Sequence, residues 1–142
     1  GGGYLMPKMQ AYANELGIEQ QVNFVGNLAS REEIRQQLDL ADLFVLSSRQ
    51  EGLPRVLIES MARSLVSVAT NVGGVKELLE PEFIVERNNH EQLIQAISSL
   101  HSLSEQELLK IANTNYHKAL EYEDGLLSKR RELMFQHLLD AI

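Results

Sequence analysis

Residues 43–59 read Leu43-Phe44-Val45-Leu46-Ser47-Ser48-Arg49-Gln50-Glu51-Gly52-Leu53-Pro54-Arg55-Val56-Leu57-Ile58-Glu59, and their order decides the fold class. Leu43 to Leu46 is an unbroken apolar run, the pattern of a buried strand. A short polar loop with Gly52 follows, and Pro54 stands where a helix begins, because the N–H that proline lacks is not needed in a first helical turn. The segment is therefore a strand, a tight loop and a helix N-terminus, with Glu51 before the helix and Glu59 inside it.

Working outward, the same alternation continues in both directions. Pro7 to Leu16 predicts a helix closed by Gly17, with Met9, Tyr12, Ala13 and Leu16 on one face. Val22 to Val25 predicts a short strand ended by Gly26. Ser30-Arg31-Glu32-Glu33 is a capping-box pattern that opens a helix through about Leu40. Pro54 to about Arg63 is the next helix and Leu65 to Ala69 the next strand, followed by Gly73-Gly74 and a helical stretch to about Leu79. Phe83 to Val85 predicts a fourth, shorter strand. After His90 only helices follow: Glu91 to Leu100, one capped at Ser104 that runs towards Tyr122, and Gly125 to Ile142.

Apolar strands alternating with helices imply a parallel sheet with helices on both faces, an α/β Rossmann-like fold with added C-terminal helices. Such sheets bind ligands at the carboxyl ends of their strands. Gly26, Glu51 and Gly73 each follow a predicted strand and are expected on one rim. Free N–H groups at a helix start attract phosphate, and carboxylates accept hydrogen bonds from sugar hydroxyls. A nucleotide-sugar carries both kinds of group. A proline-started helix with a glutamate in its early turns is also sound helix construction without any ligand.

Composition narrows the classes. At 142 residues the chain is one domain's worth, and 44% hydrophobic with 23% charged residues is ordinary for a globular domain. No apolar run approaches the roughly 20 residues that span a bilayer. The net charge of −7 argues against nonspecific nucleic-acid binding. The absence of cysteine makes a cytoplasmic home the simpler expectation. His90, His101, His117 and His137 match no metal-ligand spacing, so no metal is expected.

The stretches Val22 to Gly26, Ala41 to Ser48, Glu51 to Ala62 and Val72 to Glu77 occur in an order and spacing that resemble a known family. The chain looks like the carboxy-terminal, nucleotide-sugar-binding half of a retaining GT-B glycosyltransferase with two Rossmann-like domains, similar to glycosyltransferase family 4 (glycosyl transferases group 1). The likeness covers roughly residues 1 to 100.

The resemblance implies a role for each matched position. Glu51 would contact donor-sugar hydroxyls near the reacting carbon. Gly52, Leu53 and Pro54 would bring backbone close to the sugar. Arg55 and Val56 would offer N–H groups to the diphosphate, Glu59 would hold the ribose, and Gly26 and Asn27 would lie by the nucleobase. Simpler readings stand beside these: Gly26 as a strand terminator, Gly73-Gly74 as a turn, and Arg55 paired with Glu51, Glu59 or water.

The family's phosphate-binding Arg and Lys have no counterpart at the expected place in residues 1–42. Residues 1–142 are accordingly expected to be a fragment, without its first strand–helix unit and its acceptor domain, and inactive alone. Gly1-Gly2-Gly3 reads either as a cloning remnant or as the loop after an absent strand. The implied partners are a nucleoside diphosphate sugar and an acceptor glycan, lipid or small molecule bound by the absent domain. Peripheral membrane association through that domain is compatible with this. A sugar-nucleotide epimerase of the same architecture and a non-catalytic Rossmann-like binding domain are the alternatives. A phosphoryl-accepting receiver domain fits poorly, because Leu46-Ser47-Ser48 stands where its acidic residue belongs.

Overall fold

The structure is a computed structural model that describes residues 3–140; Gly1, Gly2, Ala141 and Ile142 lie outside the described residues. The start of the glycine run and the end of the expected last helix therefore fall outside it. The chain divides into two units, Gly1–Gln37 and Leu38–Ile142.

In the first unit α1 spans Met6–Glu15, with Pro7 in its first turn and Ala13 buried. It stops as expected at Gly17, whose φ of 68° is left-handed. Gly17 N–H donates to Asn14 C=O and Ile18 N–H to Ala13 C=O, the paired bonds of a Schellman ending. Residues 22–25 are not a strand. Among the described residues no neighbour pairs with them, and Val22 and Val25 are exposed. Strand propensity in four residues is not enough, because an extended run becomes a strand only when a second backbone completes its ladder.

The second helix, α2, spans Arg31–Asp39 and runs from the first unit into the second. Ser30 Oγ accepts from Glu33 N–H at 3.1 Å, and the Glu33 carboxylate accepts from Ala29 N–H at 2.6 Å. The expected capping exchange is present, with its return bond shifted back by one residue.

The second unit holds the sheet. Strands β1 (Leu43–Leu46), β2 (Val66–Thr70) and β3 (Ile84–Val85) are parallel in the order β1-β2-β3. Val66, Val68 and Val85 pack with Leu100 on one face; Leu46 and Ala69 pack with Leu57 and Met61 on the other. The helices that cover these faces are α3 (Arg55–Ala62), α4 (His90–His101) and α5 (Glu105–Leu120), and α6 (Asp124–Asp140) follows. All five residues of β2 are buried, Ser67 and Thr70 included, so neither of its faces is turned to solvent. Leu57 is fully buried, which contributes about 1.5–3 kcal/mol. Among the described residues the sheet has three strands rather than four, and Phe83 belongs to a 3-10 turn, Pro81–Phe83, rather than to β3.

Two polar contacts tie helices to β2 and to Leu65, the residue before it. Ser60 Oγ on α3 and Ser67 Oγ on β2 lie 3.2 Å apart in the interior. Asn115 Nδ2 on α5 donates to Leu65 C=O at 2.9 Å. The turn from α3 to β2 is a Schellman ending with serine in the glycine position. Ser64 has φ 59°, Ser64 N–H donates to Met61 C=O, and Leu65 N–H donates to Ser60 C=O.

Candidate functional site

Because β1 and β2 are parallel, the loops that follow them leave the same edge of the sheet. After β1 the chain runs through Ser47 to Pro54; after β2 it runs through Asn71 and Val72 into a 3-10 turn, Gly73–Glu77. The two loops are fastened together by Gly74 N–H, which donates to Gly52 C=O at 2.8 Å.

Gly73 has φ 46° and lies so close to the first loop that a Cβ there would stand 2.9 Å from the Glu51 carbonyl carbon, and nearer still to the carbonyl oxygens of Glu51 and Gly52. A Cβ on Gly74 would stand 2.7 Å from Leu53 Cδ1. The paired glycines thus let one backbone rest on the other, a role beyond that of a simple turn.

Glu51 is half-buried in the first loop, and its Oε1 accepts from Ser48 Oγ at 2.7 Å. Gly52 and Leu53 are exposed, whereas Pro54 is fully buried. Pro54 stands one residue before α3, with ψ 100°, rather than inside the first turn. Its C=O accepts from Leu57 N–H and Ile58 N–H. No side chain caps α3. Its leading N–H groups, those of Arg55 and Val56, have no acceptor within the helix by α-helical geometry.

Arg55 is exposed and makes no ion pair among the described residues, so its pairing with Glu51 or Glu59 is not observed. Glu59 is half-buried one turn further on. At positions i+4 from Arg55 and i+3 from Val56, it shares their side of the helix, away from the buried Leu57, Ser60 and Met61. The acidic residue, the exposed loop backbone, the uncapped helix start and the second acidic residue therefore follow one another across one end of the unit.

Gly26 and Asn27 belong to the first unit. Gly26 has φ 76°, a left-handed turn that follows an extended run rather than a strand, and Asn27 is exposed. A cavity of about 560 Å³ in the second unit does not contain the Glu51 loop. It lies between the segment after β2 and α5 and is lined by Asn71, Lys76, Glu86, Asn115 and Lys118 among others. Among the described residues no three His, Asp or Glu side chains gather as metal ligands would. Nor is any described helix long and apolar enough to cross a membrane.

Sequence reasoning did not single out Ser48 or Thr70. Ser48 is visible in the sequence only as a hydroxyl three residues before Glu51. Thr70 lies 22 residues from the Ser48 carbonyl that it bonds, so no local spacing could reveal it.

Comparison with known proteins bears on family and fold. The family model described as "Glycosyl transferases group 1" matches residues 1–118. An uncharacterized glycosyltransferase of Haemophilus influenzae is 34% identical over 104 residues, a match that covers 70% of this chain and 29% of that protein. The chain thus spans under a third of that relative's length. Among solved structures, the sucrose-phosphate synthase of Thermosynechococcus elongatus superposes with a TM-score of 0.80 at 19% identity, covering 96% of this chain and 35% of that one. HepE of Anabaena, solved in complex with UDP, superposes with a TM-score of 0.77 at 23% identity, covering 96% and 36%. These likenesses show a Rossmann-like half of the GT-B fold. With 118 of its 142 residues inside the family model, the chain belongs to the glycosyl transferases group 1.

Proposed function

We propose that this chain is the donor-binding domain of a glycosyltransferase that moves a sugar from a nucleoside diphosphate sugar to an acceptor with retention of anomeric configuration. The observation that carries the reading is the Glu51–Glu59 segment at the carboxyl edge of the sheet, where an uncapped helix start lies between two half-buried carboxylates. Glu51 accepts from hydroxyls of the transferred sugar, and exposed Gly52 and Leu53 offer backbone to the same sugar. Pro54, buried beneath them, sets the entry angle of α3. Arg55 and Val56 present N–H groups to the diphosphate, with the Arg55 guanidinium available to a phosphate oxygen. Glu59 takes the ribose hydroxyls. The UDP held by the Anabaena relative supports a nucleoside diphosphate as the bound moiety.

Magnitudes set the limits of this domain's contribution. A helix terminus stabilises an exposed anion by about 0.3–1 kcal/mol, and by about 2 when partly buried. Enzymatic acceleration takes at least about 8 kcal/mol. Cationic groups and an acceptor site elsewhere in the full-length protein supply the difference, so residues 1–142 alone should turn over no donor. In this reading protein groups neutralise the departing diphosphate without a metal. The location is cytoplasmic, with the acceptor glycan, lipid or small molecule, and any peripheral membrane contact, assigned to the other domain.

Calorimetric titration of the full-length protein with UDP and with GDP tests the assignment. A hydrogen bond to a charged carboxylate is worth about 1.5–3 kcal/mol, so Glu59→Ala should weaken the tighter of the two by about ten- to a hundredfold. Unchanged affinity would remove Glu59 from the site.

A further inference from the structure

We propose that Ser48 is a positioning residue for Glu51, held in its own place from the interior of the sheet by Thr70. This rests on the reading above that Glu51 faces the donor sugar. A glutamate in a loop has three rotatable side-chain bonds, and a half-buried carboxylate left to itself samples several orientations. Here one of its oxygens is taken: Ser48 Oγ donates to Glu51 Oε1 at 2.7 Å. A carboxylate only accepts, so the second oxygen is left to receive a sugar hydroxyl.

Ser48 is itself restrained. Thr70 Oγ1 lies 2.6 Å from Ser48 C=O and 3.2 Å from Leu46 C=O, and with one proton to give it donates chiefly to the nearer. Thr70 is buried in β2, the central strand. A route of two hydrogen bonds therefore leads from the buried central strand of the sheet to the carboxylate at its edge. Constellations held in this way by locked neighbours keep the sub-ångström placement that transfer requires.

The test uses the full-length protein, with turnover followed as nucleoside diphosphate release from UDP-glucose, UDP-galactose and GDP-mannose, on whichever donor the wild type consumes fastest. Ser48→Ala should lower kcat by roughly ten- to a hundredfold, the worth of one hydrogen bond to a charged group. Affinity for the bare nucleoside diphosphate should stay within about twofold, and the melting temperature should barely move. Ser48→Thr keeps the hydroxyl and should recover most of the rate, while Thr70→Val should give a partial loss. In a Glu51→Ala background, Ser48→Ala should cost nothing further, because the group it positions is gone.

Wild-type kcat in Ser48→Ala alongside an impaired Glu51→Ala overturns the positioning role and leaves the donor reading standing. Independent, multiplying losses, or a parallel fall in nucleotide affinity and melting temperature, do the same. A Glu51→Ala protein with unaltered kcat, or a wild type that consumes no donor, removes the site reading and this proposal together.

Discussion

Replacing Gly73 with alanine should disable donor transfer through the backbone alone, without removing any group that touches the donor. The added Cβ would stand 2.9 Å from the Glu51 carbonyl carbon, with the carbonyl oxygens of Glu51 and Gly52 nearer still. These are backbone atoms, so no rotamer change relieves the contact. Clearing them takes a shift on the order of 1 Å in the loop that carries Glu51, and misplacements of that size cost about a hundredfold in rate. The φ of 46° adds a second penalty, because an L-residue in the left-handed region costs roughly 1–2 kcal/mol. With about 1–3 kcal/mol for overpacking, the loss of stability should come to about 2–5 kcal/mol, or on the order of 10 °C in melting temperature for a domain of this size. Steady-state kinetics of the full-length protein, run below the variant's melting transition, reads the first effect, and thermal denaturation followed by circular dichroism reads the second. Gly125→Ala, where a Cβ meets nothing within 4 Å, is the control. A folded, destabilised Gly73→Ala with the wild-type kcat/KM would refute the reasoning, since it would show that the Glu51 loop can move without consequence for transfer.

Other consequences follow from the same geometry. Ser64 occupies the left-handed position of a Schellman ending, so Ser64→Gly should stabilise the protein by about 1 kcal/mol, read as a higher midpoint in urea at constant slope. The Glu107 carboxylate is held below its ordinary pKa by hydrogen bonds from the Ser104 side chain and backbone. The sign follows from the direction of the shift: the stabilisation is present above the ordinary glutamate range, near about 4.3, and is lost as pH falls through the lowered value. Melting curves between neutral and acid pH should therefore show a slightly shallower acid decline in Glu107→Gln than in wild type.

Much of the second unit was legible from the chain. The runs Leu43–Leu46 and Leu65–Ala69 announced parallel strands, and the structure has them at Leu43–Leu46, three of its four residues partly buried, and at Val66–Thr70, buried throughout. Ser104 with Glu107 signals the start of α5, and both bonds of that capping box form. Pro54 was expected inside the first turn of α3 and stands one residue earlier, a displacement within the usual scatter of helix ends. Val22 to Val25 carries the same kind of strand signal as Leu43 to Leu46, yet forms none. Residue type reports whether a segment can extend, and a partner decides whether it pairs. Likewise Phe83 was expected in the last strand, but a turn opened by Pro81 takes it first.

The candidate site divides along the same line. The order of Glu51, Gly52, Pro54 and Glu59 along the chain, together with the start of a helix between the carboxylates, came from sequence, because residues this close are placed relative to one another by local backbone geometry. Tertiary structure alone decided that Gly73 and Gly74 rest against the Glu51 loop, and that Thr70 reaches the carbonyl of Ser48. Both contacts join residues some 20 positions apart, brought together only when β1 and β2 align in parallel and release their loops at one edge. Short-range chemistry is written in the order of residues; contact across a sheet exists only once its register is set.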